Sequence, residues 1–260
     1  MIERSDKMVS NYIWNGIYRS WDQASEAAKV IGTGGGLASD RWFQRITQQL
    51  MDYRDEISKY GVAMPPRPSN LPLVCAMTNS HAILDFGGYS GWCWDYLHNS
   101  LPNQKINSYI VIETGEVVSY MSASGLHKKP VEYKTISDSI NACDLLYCNS
   151  VLQYFSSNAP LISLVERTTP EYILLEDLIA KGEDDFYTVQ TYYKSGMPYR
   201  FIGLTKLLSE LFDQGYTELA RYPYASPILG VIKPLEMDNF PKENQVRYTL
   251  SILLQKTKEK

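Results

Sequence analysis

The chain has 260 residues, 44% hydrophobic and 21% charged, with 25 basic and 29 acidic side chains for a formal net charge of −4. That length suits one domain with an elaboration, and the acidic balance argues against a phosphate-backbone binder, which ordinarily carries a basic surface. Apolar runs stay well short of the ~20 residues of a membrane span, and the charged opening MIERSDKMVSNY lacks the apolar core of a secretion signal, so a cytoplasmic protein is expected.

Residues 1–60 read as helical. Ser20 can cap a helix from Trp21 that places Ala24, Ala27, Ala28 and Ile31 on one side, and the glycines of Gly32–Gly36 end it. No strand precedes Gly34–Gly36, so they read as a joint rather than a phosphate loop. A second helix over 40–59 carries Trp42, Phe43, Ile46, Leu50, Tyr53 and Ile57 at helical spacing. The proline-rich stretch 64–72 (MPPRPSNLP) reads as a linker, because proline fixes φ and removes donors. The chain therefore divides into a helical extension, 1–72, and a main domain, 73–260.

From His81 onward strands and helices alternate, the pattern of a parallel α/β sheet. Strands are expected over 81–86, 108–113 (SYIVIE), 131–136, 144–149 (DLLYCN) and 171–176 (EYILLE), with helices over 91–100 and 158–166 and a short helix after the second strand. An irregular stretch, 177–201, precedes a helix over 205–214 that carries Leu207, Leu208 and Leu211 and stops at Gly215. Two last strands, 216–222 and 248–255, are joined without a crossover helix. Cys75, Cys93, Cys143 and Cys148 form no C-x-x-C pair and read as reduced core thiols, with Cys143 and Cys148 on opposite sides of one strand. The 20 tyrosines are many for this length and suit, in part, a pocket for a part-polar ligand.

The most informative segment is HAILDFGGYSG, His81–Gly91. An apolar strand ends on Asp85, and Gly87, Gly88 and Gly91 follow within five positions. Glycine lets the backbone turn sharply and approach a ligand, and the next helix aims its free N–H groups at the same place. Glu113 ends the second strand, 22 residues beyond Gly91, where a carboxylate is suited to accept hydrogen bonds from both ribose hydroxyls of a nucleoside. Ser137 and Asp138 follow the third strand, beside the expected place of an adenine ring. Asn149, Ser150, Gln153 and Tyr154 follow the fourth, and Glu176 and Asp177 end the fifth.

In that order LDFGGYSG, IVIE, DLLYCNSVLQYF and EYILLEDL resemble class I S-adenosylmethionine-dependent methyltransferases from about Leu73 to the C-terminus. The opening WNGIYRSWDQA, a W-x-G-x-Y-x-x-W segment, resembles more narrowly a bacterial subfamily often linked to surface-glycan or small-metabolite gene clusters. The resemblance implies a Rossmann-like seven-stranded sheet of order 3-2-1-4-5-7-6 with strand seven antiparallel, S-adenosyl-L-methionine as cofactor and S-adenosyl-L-homocysteine as its product. It places Asp85, Gly87, Gly88 and Gly91 around the methionine part, Glu113 on the ribose, Ser137 and Asp138 beside adenine, and Asn149 to Tyr154 as the pocket floor. The family pattern acid-x-Gly-x-Gly-x-Gly is broken at Tyr89, which is expected to line the cavity, with Gly88 relieving the turn.

Methyl transfer from a sulfonium needs positioning and desolvation more than a base, unless the acceptor has a proton to lose. Candidate bases are His127, in a loop beside two lysines, and Glu176, Asp177 and Tyr154. His98 at a helix end is a weaker candidate, and His81 faces away. For the acceptor, expected to be a small molecule or glycan-linked group methylated at oxygen, the candidates are Gln153, Tyr154, Tyr192, Tyr193, Arg200 and the N-terminal Trp14 and Tyr18. The alternative for Trp14, Tyr18 and Trp21 is to pack the extension onto the domain or to serve a homodimer contact. Trp92 and Trp94, two apart, are not expected both to face the sheet, which leaves one to cap the pocket. The histidines show no ligand spacing, so no metal is expected. Two other readings stay open: a non-catalytic cofactor-binding or scaffold protein, and a nicotinamide-dependent oxidoreductase, whose Gly-x-Gly-x-x-Gly spacing this turn does not meet.

Overall fold

The computed structural model describes residues 12–32, 40–192, 195–224, 227–228, 231–232 and 234–257. Its centre is a seven-stranded sheet built from β2 (Ala82–Phe86), β3 (Ser108–Ile112), β4 (Val131–Lys134), β5 (Leu145–Asn149), β6 (Tyr172–Leu178), β9 (Tyr216–Tyr224) and β12 (Thr249–Lys256). Its order is β4-β3-β2-β5-β6-β12-β9. Strands β2 to β6 run parallel, and β12 runs antiparallel to both β6 and β9. Numbered within this sheet alone, the order is 3-2-1-4-5-7-6 with the seventh strand antiparallel, the Rossmann-like α/β arrangement expected from the sequence.

Both faces of the sheet are covered, so its strands are apolar on both sides and sort their residues with a period of two. Leu84, Phe86, Ile110, Ile112, Leu146 and Ile173 face α6 (Ala159–Thr168) and α7 (Leu204–Asp213). Ile83, Tyr109, Val111, Leu145, Tyr147 and Leu174 face α3 (Leu71–Thr78), α4 (Trp92–Ser100) and Leu50 of α2 (Asp40–Tyr60). At the β4 side, α2 packs Trp42, Phe43 and Ile46 on Val117 and Met121 of α5 (Gly115–Ser124).

A second, three-stranded antiparallel sheet, ordered β1-β7-β8, joins β1 (Trp14–Tyr18) to β7 (Phe186–Tyr192) and β8 (Ser195–Phe201). This corrects two expectations. Residues 14–18 are a strand, not part of a helical extension, and most of 177–201 is a hairpin, not irregular chain. The pairing partner lies far off in sequence: Thr188 Oγ1 donates to the Gly16 carbonyl across 172 residues, at 2.6 Å. The helix α1 (Trp21–Ile31) is capped by Ser20 as expected and packs on β7 and β8. At Gly196 the α1 backbone comes so close that a Cβ would meet the Ala28 carbonyl at 2.5 Å.

Smaller corrections follow the same logic. The stretch read as linker 64–72 already contains the first two residues of α3, Leu71 and Pro72, and a proline is tolerated at a helix start. Cys143 precedes β5 instead of sharing it with Cys148, because β5 begins at Leu145. Strand β4 stops at Lys134, where Asp138 Oδ2 accepts the Thr135 N–H at 2.7 Å and turns the chain. The connection before β12 holds a two-residue hairpin, β10 (Pro227–Ile228) with β11 (Val231–Ile232).

Candidate functional site

Strand order reverses between β2 and β5, and ligands of open α/β sheets bind off the carboxyl ends at such a point. The glycine turn lies there. Gly87, at φ +79°, donates to the Ile112 carbonyl at 2.9 Å, and a Cβ on it would collide with Val151. Gly91, at φ +70°, opens α4 in the left-handed conformation, and a Cβ there would meet the Tyr133 hydroxyl at 2.6 Å. Gly88 serves differently from expectation. Its φ is not positive, and a Cβ on it would overlap Asp85 Oδ2, so its bareness makes room for the carboxylate rather than relieving the turn.

Two carboxylates flank this turn. Asp85 is 1% exposed and accepts from the Tyr109 hydroxyl at 2.7 Å. Burial pushes its carboxyl up to about 7 against the pull of that hydrogen bond, and the charge of Glu113 adds to the rise. Glu113 reaches from the end of β3 to the turn, where Oε1 accepts the Tyr89 N–H at 3.1 Å and Oε2 accepts the Thr114 N–H at 3.1 Å. Burial raises it to about 7 as well, against those two bonds. Ser137 and Asp138 lie exposed in the turn after β4, with Asp138 bonded to Thr135.

Of the five left-handed non-glycine residues among those described, three lie at this edge and two, Asn79 and Thr169, end helices. Tyr89 (φ 51°), Ser150 (φ 55°) and Asp177 (φ 49°) are left-handed non-glycine residues, and they follow or end the adjacent strands β2, β5 and β6. Such conformations cost about 1–2 kcal/mol each and cluster at working sites. The Tyr89 ring does not stand in the cavity unsupported. It packs edge-on against Trp42, ring centres 5.2 Å apart, and so ties the turn to α2.

The β5 and β6 ends hold a polar network. Asn149, buried, donates to the Tyr147 hydroxyl at 2.8 Å, while its Oδ1 is buried without a hydrogen-bond partner among the described residues. Gln153 Nε2 donates to Ser150 Oγ at 2.8 Å, and the Tyr154 hydroxyl to Gln190 Oε1 at 3.1 Å. Glu176, buried, accepts from Ser69 Oγ, from Tyr147 and from both the backbone and side-chain N–H of Asn70. Its carboxyl is pushed up by burial, opposed by those bonds. Asp177 accepts from Thr249 Oγ1 at 2.8 Å and faces Arg67 Nη1 at 3.7 Å.

Other candidates lie elsewhere. His127 is not an exposed loop histidine. Its side chain is 3% exposed, with Nε2 at 2.9 Å from Asp95 Oδ2 and Nδ1 at 3.0 Å from the Tyr133 hydroxyl. Arg54 grips the same Asp95 with two nitrogens, so this cluster ties α2 and α4 to the back of the glycine turn, where Tyr133 donates to the Ser90 carbonyl. Arg200 is fully enclosed, bonded to the Leu152 carbonyl at 3.2 Å and to Asp185 at 3.4 Å. Trp14 packs with Tyr199 and Phe201, and Tyr18 is half-buried on β1. Trp92 and Trp94 both pack on the core under β3, Trp94 edge-on to Tyr109, so neither is set aside as a cap. His98 stacks on Trp94 at the exposed end of α4, and His81 Nδ1 lies 2.6 Å from the Lys105 carbonyl. Gly34–Gly36, Tyr193 and the Tyr192 side chain lie outside the described residues. Among those described, no three His, Cys, Asp or Glu side chains are grouped as metal ligands, and no helix is long and apolar enough to cross a membrane.

Sequence reasoning passed over Arg67, Ser69, Asn70, Tyr147, Tyr224 and Thr249. The one local signal was polar side chains, RPSN, inside a proline-rich segment. Proline there stiffens a strap that crosses the sheet edge, held by Glu176 on Ser69 and Asn70 and by the Tyr224 hydroxyl on the Pro68 carbonyl.

The chain matches no protein-family model and no curated protein. Among solved structures it is similar to a SAM-dependent methyltransferase from Methanosarcina mazei, at 14% identity and TM-score 0.48, over 72% of this chain and 98% of that one. It is similar to an S-adenosylmethionine dependent methyltransferase from Mesorhizobium loti, at 12% and 0.46, over 72% and 97%. It is also similar to the 1,6-didemethyltoxoflavin-N1-methyltransferase of Burkholderia thailandensis, at 14% and 0.45, over 83% and 87%.

Proposed function

We propose that this chain is an S-adenosylmethionine-dependent methyltransferase acting at oxygen on a small-molecule or glycan-linked acceptor. The observation that carries the reading is the pair Asp85 and Glu113, set on either side of a glycine turn at the reversal of strand order. The donor set fits the group. A carboxylate at the tip of β3 suits a ribose diol, a buried carboxylate in the turn suits an ammonium, and the unpartnered Asn149 Oδ1 adds an acceptor on the floor. When bound, the sulfonium supplies an electrophilic methyl group.

In this reading Asp85, Gly87, Gly88 and Gly91 hold the methionine part and Glu113 the ribose, with Ser137 and Asp138 beside the adenine. Asn149, Ser150, Gln153 and Tyr154 form the floor and the acceptor side. Glu176 acts as a positioning residue, since four hydrogen bonds already occupy its carboxylate, and Asp177 faces the acceptor. His127 holds the turn from behind through Tyr133.

Isothermal titration with S-adenosylhomocysteine tests this. Micromolar binding is expected, weakened by Glu113→Gln and by Asp85→Ala. Absence of heat with the intact protein defeats the reading. A coupled assay for S-adenosylhomocysteine release over a panel of glycans and small metabolites then separates an enzyme from a cofactor-binding scaffold.

A further inference from the structure

We propose that Arg67 selects the acceptor by gripping a planar monoanion, a carboxylate, on a small molecule lodged beside the β5 and β6 ends. The inference rests on the methyltransferase reading and adds to it the chemical class of the acceptor.

The strap places this side chain firmly. Pro68 is held by Tyr224, and Ser69 and Asn70 are held by Glu176, so Arg67 cannot drift from the carboxyl edge of the sheet. Asp177 at the end of β6 faces Arg67 at 3.7 Å, and Tyr89 from the glycine turn, Tyr154 after β5 and Tyr224 at the end of β9 lie within its electrostatic reach. They come from four elements and converge where the acceptor must approach the turn.

The state of the guanidinium is the second observation. Arg54 and Arg200 show what a structural arginine does in this protein. The first closes a two-nitrogen clasp on Asp95 and bonds a carbonyl, and the second is fully enclosed between Asp185 and a carbonyl. Among the described residues Arg67 has one ion pair, through one nitrogen to Asp177 at 3.7 Å, beyond hydrogen-bonding reach, and its side chain is 41% exposed. The planar fork is therefore presented to the cleft with its paired donors unspent, the geometry that matches a carboxylate. Burial opposes the charge on Arg67, and the Asp177 carboxylate beside it favours that charge.

Asp177 sets the choice between anions. It is fixed by Thr249 and stands beside the guanidinium, so an approaching ligand meets a negative charge as well as a positive one. The guanidinium and Asp177 together carry no net charge, so a dianionic phosphate gains no net Coulomb advantage over a monoanion, and the planar two-oxygen match of a carboxylate to the fork decides.

The test uses three probes that share one ring: benzoate, phenyl phosphate and the neutral benzamide. Each is titrated into the full chain with and without saturating S-adenosylhomocysteine. Benzoate is expected to bind about tenfold tighter than benzamide and tighter than phenyl phosphate. Arg67→Gln is expected to abolish the preference over benzamide, Arg67→Lys to keep part of it, and both to leave S-adenosylhomocysteine affinity within about twofold. Equal binding of benzoate and benzamide, no saturable benzoate binding, or tighter binding of phenyl phosphate overturns the proposal. So does a tenfold loss of S-adenosylhomocysteine affinity in Arg67→Gln, which would assign the arginine to the cofactor. Failure of the intact protein to bind S-adenosylhomocysteine counts against the function instead, and the benzoate arm without it still reads Arg67.

Discussion

Glu176 Oε1 accepts two hydrogen bonds from Asn70, one from its backbone N–H at 2.9 Å and one from its side-chain amide at 2.6 Å, across 106 residues of chain. A carboxylate at the end of the fifth parallel strand thereby fastens a proline-rich strap over the edge of the sheet where the candidate site lies. The strap in turn sets the position of Arg67.

Glu176→Ala should loosen that fastening and leave Asn70, Ser69 and Tyr147 without their buried acceptor. Unpaired buried groups cost about 1–3 kcal/mol each, so a loss of about 2–3 kcal/mol is expected after partial rearrangement. Glu176→Gln keeps one acceptor oxygen and should lose less. Thermal unfolding of the two variants beside the parent measures the difference, and equal melting temperatures would show that the strap is not held this way.

The two carboxylates of the glycine turn make stability and ligand binding depend on pH in opposite directions. Both are raised to about 7, from ordinary values of 3.8 for Asp85 and 4.5 for Glu113. Between about pH 4 and 7 the folded protein then binds more protons than the unfolded chain, so this pair makes stability fall as pH rises and level off above 7. Ribose binding by an ionised Glu113 should strengthen through the same range. Chemical denaturation and S-adenosylhomocysteine titration at a series of pH values should give slopes of opposite sign, and Glu113→Gln should reduce both.

Gly88→Ala places a methyl group on Asp85 Oδ2 and forces the carboxylate off the Tyr109 hydroxyl. Overpacking of this kind costs about 1–3 kcal/mol, and S-adenosylhomocysteine affinity should fall about tenfold if the loss is borne by the site. Gly115→Ala is the control. Nothing lies within 4 Å of a Cβ there, at the first position of α5, so stability should hold or rise by up to about 1 kcal/mol.

Tyr133→Phe removes the hydroxyl that donates to the Ser90 carbonyl at 2.9 Å and meets His127 Nδ1 at 3.0 Å. A cost of about 1 kcal/mol is expected. If the cluster braces the glycine turn, S-adenosylhomocysteine affinity should drop severalfold in the same variant. A stability loss with unchanged affinity would make the cluster purely structural.

Much of the main sheet was legible in the chain because its signals are local. Short apolar runs mark strands covered on both faces, Asp85 to Gly91 marks a turn whose φ values suit glycine, and Ser20 and Gly32 bracket a helix; each lies within a window that folds on its own stereochemistry. Glu113 was legible too, because an acid that ends a strand is fixed relative to the neighbouring strand by register. The second sheet was not, since β1 and β7 acquire their hydrogen bonds only from each other, far apart along the chain, and neither alternates cleanly enough to declare itself. Nor were the roles of the two arginines. A guanidinium is the same group in either place, and only the packed structure decided that Arg200 is enclosed against Asp185 and the Leu152 carbonyl while Arg67 is partly exposed with Asp177 at 3.7 Å. The same holds for the strain at Tyr89, Ser150 and Asp177, because a left-handed backbone at a residue with a Cβ is imposed by its surroundings and not by its own preference.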